Sequence, residues 1–127
     1  MKFNPTQIRD ILIAVSESLT PNEYGYVSPI SPIELLENNL TEYPQNETFY
    51  WIRQVMDAGI LVKGSQYINE PLPQIKNLSI SGYQFIENTS KPEIWKEIRT
   101  QLLGVAISNI PDFFQKVISL SGALLSK

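Results

Sequence analysis

A mainly α-helical chain carrying a small antiparallel β-hairpin is what the sequence predicts, and three observations predict it. Apolar residues recur at three- and four-residue spacing along much of the 127 residues, the mark of amphipathic helices. Proline-bearing helix starts punctuate that pattern at Asn4-Pro5, Ser31-Pro32 and Lys91-Pro92. Between Glu47 and Gly82 a helix stops at Gly59, a strand-like run follows, then a loop with two prolines, a second strand-like run and a new helix start. Helix, hairpin, helix in that order is the layout of a winged helix-turn-helix, in which the helix before the hairpin is the presented element. Such a layout points to a binding module rather than an enzyme.

Composition narrows the chemistry. Length suits one domain able to bury a real core, and 43% apolar with 18% charged residues is a globular balance. With no cysteine and no histidine, disulfides, zinc sites, Cys or His nucleophile systems and imidazole acid–base catalysis are excluded. A net charge of −3 argues against a phosphate backbone as obligatory partner, because that affinity comes from clustered Lys and Arg. The N-terminus goes straight into a helix cap, with no leader pattern, and no apolar run approaches a spanning length. The expectation is a cytoplasmic protein without membrane association.

Taken in order, Asn4 caps the first amides, Pro5 sits at the first helical position, and Gln7 is placed to reach back. Ile8, Ile11, Leu12, Val15 and Leu19 then form one buried face. Tyr24 to Ile30 reads as a short extended piece, with Tyr24, Tyr26 and Val27 available to pair beside a hairpin. Ser31-Pro32-Ile33-Glu34 opens a short helix to about Asn38. The next helix begins between Pro44 and Glu47, with Asn46 as cap, and Phe49, Ile52, Val55 and Met56 form its inward stripe. Gly59 closes it in the left-handed conformation and Ile60 folds back. Ile60 to Ile68 and Gln74 to Ile80 are the hairpin strands, with Pro71 and Pro73 fixing the loop. Ser81-Gly82 starts a helix bearing Tyr83, Phe85 and Ile86. Ser90-Lys91-Pro92-Glu93 resembles a capping box before the stripe of Ile94, Trp95, Ile98 and Leu102. After a break near Asn109-Ile110-Pro111, a last helix runs to about Leu125. The domain expectation is a winged-helix-like unit over 1–103 and a C-terminal helical extension over 104–127 that packs on the core or dimerises.

These residues resemble a small family of proteins from Gram-positive bacteria and their phages, known as a domain of unknown function. The likeness lies in the opening Met1-Lys2-Phe3-Asn4-Pro5-Thr6-Gln7-Ile8-Arg9-Asp10-Ile11-Leu12, in Tyr50-Trp51-Ile52 and Ala58-Gly59-Ile60-Leu61, in Ser79 to Ile86, and in Ile94-Trp95-Lys96. It covers roughly residues 1 to 103. Trp51 and Tyr83 stand where relatives carry histidines, so no histidine role transfers. The resemblance implies a winged-helix-like fold and a phage or prophage origin, and brings no established activity.

The wheel of the presented helix decides between partners. With Phe49, Ile52, Val55 and Met56 inward, the far side presents Glu47, Tyr50, Gln54 and Asp57, with Asn46 and Arg53 at one edge and Trp51 at the other. Glu47 and Asp57 would repel phosphates, whereas Tyr, Trp and Arg are the usual anchors of protein contacts. Glu47, Tyr50, Trp51, Arg53, Gln54 and Asp57 are therefore the candidate protein-binding set. The alternative for this face is Trp51 packed against the hairpin and the rest merely solvated. A DNA reader would use Asn46, Arg53 and Gln54, with Lys63 and Lys76 on the hairpin touching phosphates; two edge lysines equally guard a strand from aggregation.

No catalytic constellation emerges. Glu34 with Glu37 and Glu42 with Glu47 have a capping explanation, Ser16, Ser18, Ser28 and Ser31 lack a base, and no phosphate-binding glycine loop is present. No cofactor or metal is implied. In the last helix Phe113, Phe114, Val117, Ile118 and Leu124 span too much of the wheel for one stripe, and are the candidate homodimer residues. The expectation is a non-enzymatic phage or prophage accessory protein that binds another protein, a host or defence component among the candidates. The alternative is a winged-helix DNA-binding transcriptional regulator, disfavoured by the acidic balance.

Overall fold

Asn4 opens the first helix as its side chain permits: Oδ1 accepts from the amides of Thr6 and Gln7 at 3.1 and 3.2 Å, which are donors that a helix start leaves without partners. In the computed structural model, which describes residues 1–126, helix α1 then runs Pro5–Ser18. It is followed by α2 (Pro32–Asn39), α3 (Gln45–Asp57), strands β1 (Leu61–Lys63) and β2 (Ile75–Leu78), and helices α4 (Ile80–Asn88), α5 (Pro92–Leu102) and α6 (Ile110–Leu125). The protein is mainly α with one small two-stranded antiparallel sheet, as the periodicity predicts.

The described residues fall into two compact units, Met1–Ser79 and Ile80 onward. The sequence reading draws its line at 103/104 instead. The physical reason for the earlier division is the company α6 keeps, since its contacts are with α4 and α5.

In the first unit Ile8, Ile11, Leu12 and Val15 of α1 are fully buried, together with Leu35, Ile52, Val55, Leu61 and Ile75. Burial of such aliphatic side chains stabilises by roughly 1.5–3 kcal/mol each before entropy is counted. Gln7 does not reach back to the cap. It is 4% exposed, and its Nε2 donates to Thr48 Oγ1 of α3 at 3.1 Å. Tyr43, in the loop before α3, donates through its hydroxyl to Asp10 Oδ2 at 2.5 Å. Burial, reinforced by that carboxylate, pushes its phenol pKa up.

The start of α3 lies earlier than expected. Pro44 is the cap without a side-chain hydrogen bond; Thr48 satisfies Pro44 O instead, with both its amide (3.0 Å) and its hydroxyl (2.9 Å). Asn46 is thus inside the first turn, where its Oδ1 accepts from Glu47 N. Gly59 has φ +76, and Ile60 N returns to Val55 O at 2.9 Å, the stop anticipated from sequence.

The hairpin is shorter than its apolar runs suggest. Leu61 faces Leu78 and Val62 faces Asn77; a bulge then brings Lys63 opposite Ile75. Residues 66–73 leave the ladder, and Leu72 is fully buried. Of the piece before α2, only Ile30 joins β2, through reciprocal 2.8 Å bonds with Ile75. Tyr24 and Tyr26 do not pair there. Asn22 Oδ1 accepts from both their amides at 2.9 and 3.0 Å, and Gly25 at φ +82 closes the turn, so the local loop wins.

In the second unit Phe85 of α4 meets Trp95 of α5 and Phe113 and Phe114 of α6, with ring centroids 6.0, 5.9 and 4.7 Å away. Ser90 does not cap α5; Lys91 is the cap residue and Ser90 Oγ donates to Glu87 O. Helix α6 starts where the sequence breaks. Asn109 Oδ1 accepts from Asp112 N at 2.8 Å, and Asp112 Oδ2 accepts in return from Ser108 N and Oγ, a reciprocal cap. The Lys116 ammonium, 2.8 Å away, and the Ser108 amide hold the Asp112 carboxyl below its usual pKa.

Candidate functional site

Helix α3 turns its wheel by roughly 40° from the orientation read in the sequence. Thr48, Trp51, Ile52, Val55 and Met56 are the buried positions, and Phe49 is only half-buried. The rotation follows from Thr48, whose hydroxyl is held by Gln7 and Pro44, and from Trp51. At 8% exposed, Trp51 packs edge-on against Phe3 and Tyr50, with centroids 5.5 and 4.8 Å away. Its Nε1 finds no acceptor among the described residues. Trp51 is therefore withdrawn from the candidate surface and serves the core.

What remains outward is a stripe at the spacing of one helix face. Asn46, Tyr50, Arg53 and Asp57 are exposed, with Glu47 and Gln54 half-buried on its flank. Tyr50, 42% exposed, leans edge-on against Trp51. Arg53 Nη2 donates to the Pro71 carbonyl of the hairpin loop at 3.1 Å. Asp57 pairs with Lys63 Nζ of β1 at 3.4 Å. Both cations that a DNA reading assigns near this face thus have partners within the chain. Lys76 on β2 is exposed, and among the described residues no hydrogen bond or ion pair engages its side chain. The structure brings the α3 residues and Lys63 together around the helix–hairpin junction.

The α6 candidates divide in two. Phe113, Phe114 and Val117 are buried within their own unit at 4% exposure or less, because Phe85 and its neighbours already cover them. These three are removed from the homodimer surface. Ile118 and Leu124 are half-buried.

Among the described residues no group of three or more carboxylates is placed to hold a metal ion, and no helix is long and apolar enough to cross a membrane.

The model of a family described as hypothetical protein (DUF2513) matches residues 2–106. The chain belongs to the DUF2513 family. The matched span takes in the first unit apart from Met1, together with α4 and α5, and ends before α6 begins. No curated protein and no solved structure matches this DUF2513 member significantly.

One feature of the DUF2513 chain escapes a helix-by-helix reading. From Asp10 to Ile52 there is no Lys or Arg, while Asp10, Glu17, Glu23, Glu34, Glu37, Glu42 and Glu47 all fall there. That signal was legible in the sequence as a charge run. Its structural meaning needs α1 and α2 to be placed, since an open cleft of about 220 Å³ lies where both helices end, lined by Ser18, Ser28, Ile30, Glu34, Asn38 and Asn39.

Proposed function

We propose that this DUF2513 member is a non-enzymatic, winged-helix-like phage or prophage accessory protein that works in the bacterial cytoplasm by binding another protein, a host or defence component. The winged-helix reading is supported by the order α1, extended Ile30, α2, α3, β1, β2 and by the pairing of Ile30 with Ile75 beside the hairpin. Fold alone does not settle function, and the phage context rests on the sequence resemblance.

The observation that carries the protein-binding reading is the fate of the cations around α3. Arg53 is tied to Pro71 O and Lys63 to Asp57, which leaves the presented stripe with Tyr50 braced against Trp51 and a carboxylate at its end. A duplex requires several free Lys or Arg to displace counterions, whereas a braced tyrosine and a positioned arginine are the side chains that anchor protein interfaces. DNA binding remains the second reading, supported by Lys76 and Asn46 at the exposed edge. Affinity capture of a single bacterial protein, lost with Tyr50→Ala and with Asp57→Lys while both variants keep the wild-type circular dichroism spectrum, is the expected result. Capture unchanged by both substitutions would remove the α3 face from the interaction.

A further inference from the structure

The cleft between the ends of α1 and α2 has a chemistry of its own. Ser18 is the last residue of α1, and Asn38 and Asn39 are the last two of α2. Helix C-termini carry partial negative charge on their final carbonyls, and cations are the natural complement there. Neither helix has a basic residue in its last turn. Each instead places an exposed carboxylate there, Glu17 in α1 and Glu37 in α2, the sign that opposes the dipole. Glu34 adds a carboxylate to the cleft wall, and no ion pair or hydrogen bond engages that carboxylate among the described residues. Serine hydroxyls and the Asn38 and Asn39 amide oxygens add further acceptors. The 43-residue stretch from Asp10 to Ile52, which contains every residue lining the cleft, has no Lys or Arg.

We infer that this cleft seats an arginine side chain from a basic segment of the protein partner. The inference rests on the protein-binding reading above but uses a different surface. A volume of about 220 Å³ is small for a drug-sized ligand and suits one long side chain. A wall rich in acceptors favours arginine over lysine, because the planar guanidinium spreads five donors where an ammonium is a compact point charge. Glu34 in the wall and Glu17 and Glu37 on the last turns of the two helices attract a cationic segment, an effect that salt screens.

The test is a titration of the ¹⁵N-labelled full chain with a blocked alternating Arg-Ala octapeptide, followed by NMR, beside the Lys-Ala and Glu-Ala versions. The expected result is saturable shifts at Ser18, Ser28 and the side-chain amides of Asn38 and Asn39, with Arg-Ala tighter than Lys-Ala and Glu-Ala silent. Glu34→Gln weakens Arg-Ala about fivefold, the upper end for a solvent-exposed ion pair, and Glu37→Lys weakens it further; both variants keep the wild-type core signals. Equal binding of Arg-Ala and Lys-Ala, shifts spread over all carboxylates with Glu34→Gln as tight as wild type, or no binding at all overturns the inference. If the peptide fails while partner capture still depends on Tyr50, the cleft inference alone falls. If capture fails and the peptide binds with the stated selectivity, the cleft stands and the α3 reading falls.

Discussion

Removing the Gln7–Thr48 hydrogen bond tests what sets the rotation of α3, and with it which side chains the helix presents. Both residues are buried, at 4% and 0% exposure. Nε2 of Gln7 donates to Thr48 Oγ1 at 3.1 Å, and Oγ1 donates onward to Pro44 O at 2.9 Å. Gln7→Leu takes away only an incoming bond, since the Thr48 hydroxyl keeps its acceptor; a net loss of about 1 kcal/mol is expected. Thr48→Val keeps the side-chain shape but strands the buried Gln7 amide donor, while Pro44 O keeps the Thr48 amide as its partner, so about 1–3 kcal/mol is expected. The double variant strands no amide, and its cost falls short of the sum of the singles by about 1 kcal/mol. Urea unfolding in a Trp95→Phe background reports the first unit through Trp51 fluorescence, because Trp51 is then the sole tryptophan of the chain. A coupling below about 0.3 kcal/mol would refute the assignment of the α3 rotation to this bond.

Further substitutions separate core from surface. Trp51→Ala is expected to lose about 3–5 kcal/mol, as for a large buried aromatic, whereas Tyr50→Ala costs under about 1 kcal/mol and changes binding instead; thermal denaturation of both checks this, and equal losses would return Trp51 to the surface. Glu37→Gln removes a carboxylate from a helix C-terminus and raises stability by a few tenths of a kcal/mol, about the size of an exposed dipole interaction, while weakening the Arg-Ala peptide. A destabilised variant with unchanged peptide binding contradicts that trade. The lowered Asp112 carboxyl contributes stability that is present above its unfolded value and lost as pH falls through its depressed folded value. The Ser108 amide is thus expected to lose exchange protection only below the ordinary carboxylate range, and Asp112→Asn abolishes that pH dependence. With Phe113, Phe114 and Val117 buried, light scattering is expected to give a monomer at all concentrations; a dimer that Leu124→Asp dissociates would overturn this.

What the sequence made legible was local chemistry. Asn4, Ser31 and Asn109 cap their helices because the donors each one serves lie within three residues. Gly59 stops α3 for an equally local reason. The misreadings at the α3 face, at α6 and in the hairpin share a tertiary cause. The face of α3 turned on a partner 41 residues away in Gln7, and an apolar count ranked Phe49 inward while the outer edge took Trp51. A single helix pattern shows that Phe113 and Phe114 need cover without showing that Phe85 provides it. Long β-prone runs overstated the hairpin because Leu72 leaves the ladder to be buried. At the candidate surface, the residue types of Arg53 and Lys63 suggested phosphate contacts, and only their geometry showed Pro71 and Asp57 holding them. The wrong-signed ends of α1 and α2 were readable from Glu17 and Glu37 once the helix ends were known.

The central claim is that the surface around α3 meets protein rather than nucleic acid. Titration of a labelled DNA duplex with the full chain across a salt series, starting at low salt where electrostatic binding is strongest, tests it most directly. The expected result is no saturable binding at any salt concentration, in wild type or in Asp57→Asn, where Lys63 is released. Binding that appears at low salt, weakens steeply as salt rises and is lost with Lys76→Glu would contradict the account and establish the hairpin as a phosphate-contacting wing.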